Sequence, residues 1–236
     1  AALLFFPGCN LPADHPAYVT ESYRRLLELE PATAIYTGCC GAPADWAGET
    51  ALHQGVLERI REAWQDCGKP RFVCACPTCM RQLSEFLPEI QVVSLYEVLL
   101  EYSLPAGSGH TDAIMSVFDP CASRDFPAMQ KAVREIAEKQ GVRLEELRFA
   151  NESARCCGWG GHIQGANPEY AAAVAADRAG ASARPYIAYC VNCRDVLAGK
   201  GKECLHILDL LLGDGHGAPL PESLDQKREN RRITRA

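Results

Sequence analysis

At 236 residues the chain has room for one large domain or two of about 110 residues each. Its 47% hydrophobic and 23% charged residues are those of an ordinary globular protein, and a net charge of −6 with no basic, aromatic-interleaved stripe argues against nucleic acid as the main partner. The apolar runs at 3–6 and 207–212 are too short to span a bilayer and no secretory signal is read, so a reducing, cytoplasmic compartment is expected, where 13 cysteines do not read as a disulfide framework.

Residues 2–6, Ala-Leu-Leu-Phe-Phe, form an apolar run ended by Pro7-Gly8, which predicts a buried strand delivering Cys9 to a loop. Helical spacing follows over 17–29, then a strand at 34–36 turned by Thr37-Gly38 into Cys39-Cys40-Gly41. A helix is expected over 49–64 with Leu52, Val56, Leu57, Ile60 and Trp64 on one face. A third strand over 72–76 ends in Cys76-Pro77-Thr78-Cys79, followed by a helix over 80–86, a short strand at Val92-Val93 and a helix over 95–102. Residues 104–111, Leu-Pro-Ala-Gly-Ser-Gly-His-Thr, read as a linker.

The plan then repeats. A strand over 113–118 leads into Asp119-Pro120-Cys121, with a helix over 127–140, a strand near 147–149, the doublet Cys156-Cys157-Gly158 and a helix over 168–181. A strand over 186–189 enters Cys190-Val191-Asn192-Cys193, and residues 206–211 match 94–99 at an offset of 112. Strands alternating with helices imply βαβ units, so the expected fold is α/β: two pseudo-repeated halves with small parallel sheets and the cysteine loops at the carboxyl ends of the strands. The expected division is 1–103 for the first repeat, 112–213 for the second and 214–236 for a polar tail, read as a solvated helix or, second, as a docking segment.

Ten of the 13 cysteines obey one rule. Cys9 and Cys121 lie 112 positions apart, Cys39 and Cys156 117, Cys76 and Cys190 114, and Cys79 and Cys193 114, which is the mark of a duplication with differences in loop length. Each half therefore gathers a lone cysteine, a doublet and a CxxC. A structural zinc site closes with four thiolates, and so does an ordinary cubane cluster. Five favour an irregular iron–sulfur cluster in which one member of the doublet is terminal and the other bridges. Three chemistries stay open: iron–sulfur clusters, four-thiolate zinc in one or both halves, and thiol–disulfide exchange through Cys76/Cys79 or Cys190/Cys193, which leaves the doublets unexplained. Cys67, Cys74 and Cys204 fall outside the pattern and read as small buried hydrophobes.

The doubled CysCysGly pattern resembles the CCG cysteine-rich domain of the B-type subunit of heterodisulfide reductase and its relatives, among them iron–sulfur subunits of lactate, glycolate and glycerol-3-phosphate oxidising complexes. Pro7-Gly8-Cys9, Cys39-Cys40-Gly41, Cys76 to Cys79, Asp119-Pro120-Cys121 with Arg124, Cys156-Cys157-Gly158 and Cys190 to Cys193 carry the resemblance over nearly the whole chain. It implies two non-cubane [4Fe–4S] clusters, one on Cys9, Cys39, Cys40, Cys76 and Cys79 and the other on Cys121, Cys156, Cys157, Cys190 and Cys193, with a small disulfide substrate split between them. One cluster plus one zinc, in an electron-relay subunit of a larger flavin-dependent dehydrogenase complex, is the alternative.

His162, just past the second doublet, is the candidate proton donor, set against a loop histidine bonded to backbone. Arg124 is the second candidate catalytic residue; it and Arg194 would pair with an anionic substrate or offset cluster charge, against the plainer reading of surface salt bridges. Trp159 would wall off the second cluster or simply pack. Where relatives often carry histidine on either side of Asp-Pro-Cys, this chain has Phe118 and Ala122. No ferredoxin-type cysteine run and no dinucleotide fingerprint is present, so electrons are expected from a flavoprotein or ferredoxin-type domain or subunit. The start at Ala1-Ala2 without methionine suits a fragment of such a larger protein.

Overall fold

The computed structural model describes residues 1–101, 113–212 and 220–235. They divide into two compact units, one built from the described residues up to 101 together with those from Leu220 onward, the other from the stretch between. The expected linker at 104–111 lies outside the described residues.

In the first unit the order is β1 (Leu3–Phe6), α1 (Leu11–Asp14), α2 (Pro16–Leu29), β2 (Thr33–Ile35), α3 (Ala42–Trp46), α4 (Thr50–Asp66), β3 (Arg71–Cys74), α5 (Pro77–Phe86), β4 (Val92–Ser94) and α6 (Leu95–Glu101). The four strands form one sheet in the order β2-β1-β3-β4, every pair parallel, with Leu3–Phe6 in register against Arg71–Cys74. All four residues of β1 are buried because helices cover both faces of such a sheet, which is why the strand is a continuous apolar run and not an alternating one. Phe6 stacks between Tyr36 and Phe72, with ring centroids 5.5 and 6.0 Å away.

The second unit contains β5 (Ile114–Phe118), α7 (Pro127–Lys139), β6 (Arg143–Leu144), α8 (Ile163–Ala166), α9 (Pro168–Ala179), β7 (Tyr186–Ala188), α10 (Val191–Ala198), β8 (Cys204–His206) and α11 (Ile207–Leu212). Its sheet runs β6-β5-β7-β8, again all parallel. The repetition is therefore one of topology, not of cysteine spacing alone. It extends to a detail at the last strand: the Ser94 N–H donates to the Glu97 carboxylate at 3.2 Å, and the N–H of His206, 112 positions on, donates to the Asp209 carboxylate at 2.8 Å.

Four expectations are corrected. The strand placed near 147–149 is absent; β6 lies at Arg143–Leu144, because Gly141 at φ +81° turns the chain out of α7 directly onto β5, and Leu147 packs into the core as irregular chain. On α4 the inward face holds His53, Leu57 and Ile60, while Leu52 is 58% exposed. The helix after the first CxxC begins at Pro77 and so includes Cys79, since proline is pre-organised for the first helical position. The tail is a helix as expected, α12 (Leu224–Arg235), but it packs on α1 and α2 of the first unit instead of standing wholly in solvent. No described helix is long and apolar enough to cross a membrane.

Candidate metal centres

In the order β2-β1-β3-β4 the sequence of strands reverses between β1 and β3, and the crevice beyond the carboxyl ends of the strands there is where open α/β sheets hold ligands. In the first unit β1 ends before Cys9, β2 before Cys39-Cys40 and β3 before Cys76, so three strands deliver five thiols to one rim. The approach is close: Gly8 sits at φ +75°, and a Cβ there would lie 2.8 Å from the Cys79 sulfur.

The thiols touch in sequence. Cys9 and Cys40 both donate to Cys39, and Cys79 donates to Cys40 and to Cys76. The Gly41 N–H, 3.4 Å from the Cys39 sulfur, adds a backbone donor, and Gly41 needs its φ of +88° to present it. The bonds from Cys40 and Cys9 hold Cys39 down to about 2. Its two donors move the other way: Cys40 is pushed up to about 12 by its bond to Cys39, and Cys9 is raised by its own bond to Cys39; Cys79 is raised by its bonds to Cys40 and Cys76.

The second unit repeats this bond for bond. Cys121 and Cys157 donate to Cys156, and Cys193 donates to Cys157 and to Cys190. The Gly158 N–H lies 3.3 Å from the Cys156 sulfur, Cys156 is lowered to about 2 by the Cys121 and Cys157 bonds, and Cys157 is raised to about 12. Trp159 packs, half-buried, against the cluster that contains Cys157, Cys190 and Cys193. All 13 cysteines are free thiols. Cys74, wholly buried, is raised chiefly by that burial, which suits a core residue.

Among the described residues no group of three or more His, Cys, Asp or Glu is arranged to hold a single metal ion. A zinc site needs donors converging on one point about 2.3 Å away. Thiols running from neighbour to neighbour, soft in character and met by backbone N–H groups, instead suit a group with several metal atoms and its own sulfides. The donor set fits such a cluster.

The supports behind the two centres were not foreseen. Asp119, two residues before Cys121, is buried and accepts from Arg134 (2.8 and 3.1 Å), from the Tyr189 hydroxyl (2.6 Å) and from the Asn151 N–H (2.8 Å). Tyr189 directly precedes Cys190, so this carboxylate ties the lone-cysteine loop to the CxxC loop. Burial works against the Arg134 charge, and the Glu146 and Asp119 bonds outweigh it, leaving the guanidinium raised. In the first unit a different set does the work: His53 bonds to Gln82 Oε1 at 3.0 Å, and Gln82 Nε2 donates to Asp45 at 2.9 Å, joining α4, α5 and the helix after the doublet. The signal for Asp119 and Tyr189 was their adjacency to motif cysteines.

Arg194 does form an ion pair, with Asp195 at 3.3 Å, but the surface position is corrected: it is 1% exposed, among the largest wholly buried side chains. Arg124 is exposed and donates to the Ala154 carbonyl at 2.6 Å; Cys121 is raised by its bond to Cys156 and by burial, and the Arg124 charge opposes that rise only in small part. It lines a cavity of about 470 Å³ with Cys156, Arg155, Arg178, Ile163 and Tyr170. His162 is exposed in the left-handed region (φ +55°) at the start of α8 and does not line that cavity.

A doubly wound sheet with five clustered thiols at its rim, written twice in one chain, defines a duplicated cysteine-rich protein. The cysteine-rich domain family known as CCG matches residues 3–84 and 115–197, and the chain belongs to it. It is similar to an uncharacterised iron–sulfur protein of Methanococcus maripaludis, 26% identical over 177 residues covering 72% of this chain and 35% of that protein. The B-type subunit of the fumarate reductase (CoM/CoB) of Methanothermobacter marburgensis is 24% identical over 184 residues, 71% of this chain and 35% of the relative. The D-type subunit of the dihydromethanophenazine:CoB–CoM heterodisulfide reductase of Methanosarcina acetivorans is 24% identical over 195 residues, 75% of this chain and 48% of the relative. The chain thus spans between 35% and 48% of the length of these relatives.

Proposed function

We propose that this chain is the iron–sulfur oxidoreductase module of a larger complex, resembling the B-type subunit of heterodisulfide reductase, and that it reduces a disulfide or relays electrons toward one. The observation that carries the reading is the five-thiol network formed twice with the same bonds, each built around one cysteine sulfur that accepts a glycine N–H. Cys9, Cys39, Cys40, Cys76 and Cys79 hold one non-cubane [4Fe–4S] cluster, and Cys121, Cys156, Cys157, Cys190 and Cys193 the other. Each cluster, when bound, supplies one electron at a time. The likeness to heterodisulfide reductase and fumarate reductase subunits supports a redox role inside an assembly whose other members bring the electrons.

The chain's own residues do the remaining work. The cavity beside Cys156 has three arginines in its lining, and Arg124 is the anchor for an anionic group on the substrate. His162, exposed in the turn after the second doublet, passes a proton to the thiolate released. The half-buried Trp159 shields the second centre from water on one side.

The test is the iron, acid-labile sulfide and zinc content of the full chain purified without oxygen. About eight irons and eight sulfides per chain, the sum for two four-iron clusters, are expected. About four irons with one zinc would replace the two-cluster reading by electron relay, and zinc alone would overturn it.

A further inference from the structure

The duplication has a gap in it. In the second unit two arginines sit within the cysteine loops: Arg124, three residues after Cys121, and Arg155, directly before Cys156. The positions that correspond in the first unit, by the offsets of 112 and 117, hold Pro12 and Gly38, neither of which carries charge. The first centre has the same five thiols and lacks both cations in its own loops.

The C-terminal helix fills that place. α12 lies against α1 and α2, and Asn230 Nδ2 donates to the Ala13 and Asp14 carbonyls at 3.0 and 3.2 Å, closing the end of α1. Arg231 Nε then donates to the Cys9 carbonyl at 2.9 Å and its other arm reaches Asn10 Oδ1 at 3.4 Å. Arg235 donates to the Thr37 carbonyl at 3.4 Å. Thr37 is the counterpart of Ala154 at the offset of 117, and Ala154 is the carbonyl that Arg124 holds in the second unit. The same backbone oxygen is therefore gripped by an arginine in both units, once from the neighbouring loop and once from a helix about 200 residues away in sequence, which long-range packing alone can bring there.

We propose that α12 is a working part of the first centre, and that Arg231 and Arg235 are positioning residues which replace the absent counterparts of Arg124 and Arg155. They hold the Cys9 loop and the loop before Cys39 in place, and they bring positive charge to a site where five thiolates would gather. Charge nearby sets the potential of such a centre, and a cation stabilises the reduced, more negative state. The part concerning potential rests on the cluster reading given above; the part concerning the loops does not.

The experiment uses the full chain carrying Arg231→Gln and Arg235→Gln, with Arg231→Gln alone as a milder variant and Arg231→Lys with Arg235→Lys as the charge-keeping control. Iodoacetamide labelling of the metal-free chain, mapped by mass spectrometry with folding checked by circular dichroism, should show Cys9 and Cys39 modified several-fold faster in the glutamine variants, with Cys121 and Cys156 unchanged. Redox titration of the loaded chain should show one of two potentials moved to more negative values, and the lysine pair should restore most of that shift. Labelling that is unchanged, or that rises alike in both sets, overturns the proposal. Equal potentials in wild type and glutamine variants overturn its electrostatic half, whereas a chain with no iron sinks the cluster reading and leaves the labelling to decide the role of α12.

Discussion

Behind the first doublet stands a relay of side chains with one charge in it, Asp45 to Gln82 to His53, while behind the lone cysteine of the second unit stands Asp119, a buried carboxylate gripped from three directions. The thiol networks in front of them are the same. A duplicated sheet keeps the rim on which strands end, so it keeps the ligand frame; the helices behind are free to find any arrangement that satisfies their buried polar groups. The cations follow the same lesson, coming from the cysteine loops in one unit and from α12 in the other.

The difference is sharpest at Asp119. Asp119→Ala takes one partner each from the Tyr189 hydroxyl, which keeps Ser123, from Arg134, which keeps Glu146, and from the Asn151 N–H, and loss of hydrogen bonds to a buried charge costs about 1.5–3 kcal/mol. Urea unfolding should show the second unit melting early and the first unmoved; a loss shared by both would remove the distinction.

Glycine replacement separates the doublets next. Both Gly41 and Gly158 hold positive φ, a conformation that costs an alanine roughly 1–2 kcal/mol. A Cβ on Gly158 would also meet the Ala171 carbonyl oxygen at 2.9 Å, fixed backbone of α9, whereas one on Gly41 would meet the His53 ring at 2.8 Å. Gly158→Ala should therefore lower the unfolding midpoint more than Gly41→Ala, as thermal melts of the two variants would show.

Gln82→Ala breaks the relay of the first unit and leaves His53, which is buried, and Asp45 short of a partner, at about 1–3 kcal/mol. The same urea titration should place this loss in the first unit alone.

The smallest effect is one of pH. Burial, and then the nearby Arg194, hold His206 well below its ordinary value, so the folded chain refuses a proton that the unfolded chain accepts below about 6.5. The unfolded state then binds more protons, and the stability of the second unit should fall as pH drops below about 6.5, by up to about 1.4 kcal/mol per unit. Ser94 holds the matching position in the first unit, so His206→Ser should flatten the acid limb of a stability–pH curve; an unchanged slope would refute the assignment.

Much of this was legible in the residues. Leu3–Phe6 and Ile114–Phe118 announce buried parallel strands by being apolar without alternation, and the spacing of ten cysteines declares both the duplication and the composition of each thiol set. These are local signals: period, chain order and covalent distance along the backbone. The exchange of a strand at 147–149 for Arg143–Leu144, the outward turn of Leu52, the burial of Arg194 and the return of α12 to Cys9 were decided elsewhere. Each depends on which surface a segment meets after the sheet has formed. A charged helix reads as solvated by composition, and α12 has five basic residues against two acidic ones. Only the carbonyls of Cys9, Ala13, Asp14 and Thr37, brought together by the first fold, give its arginines and Asn230 a place to bind.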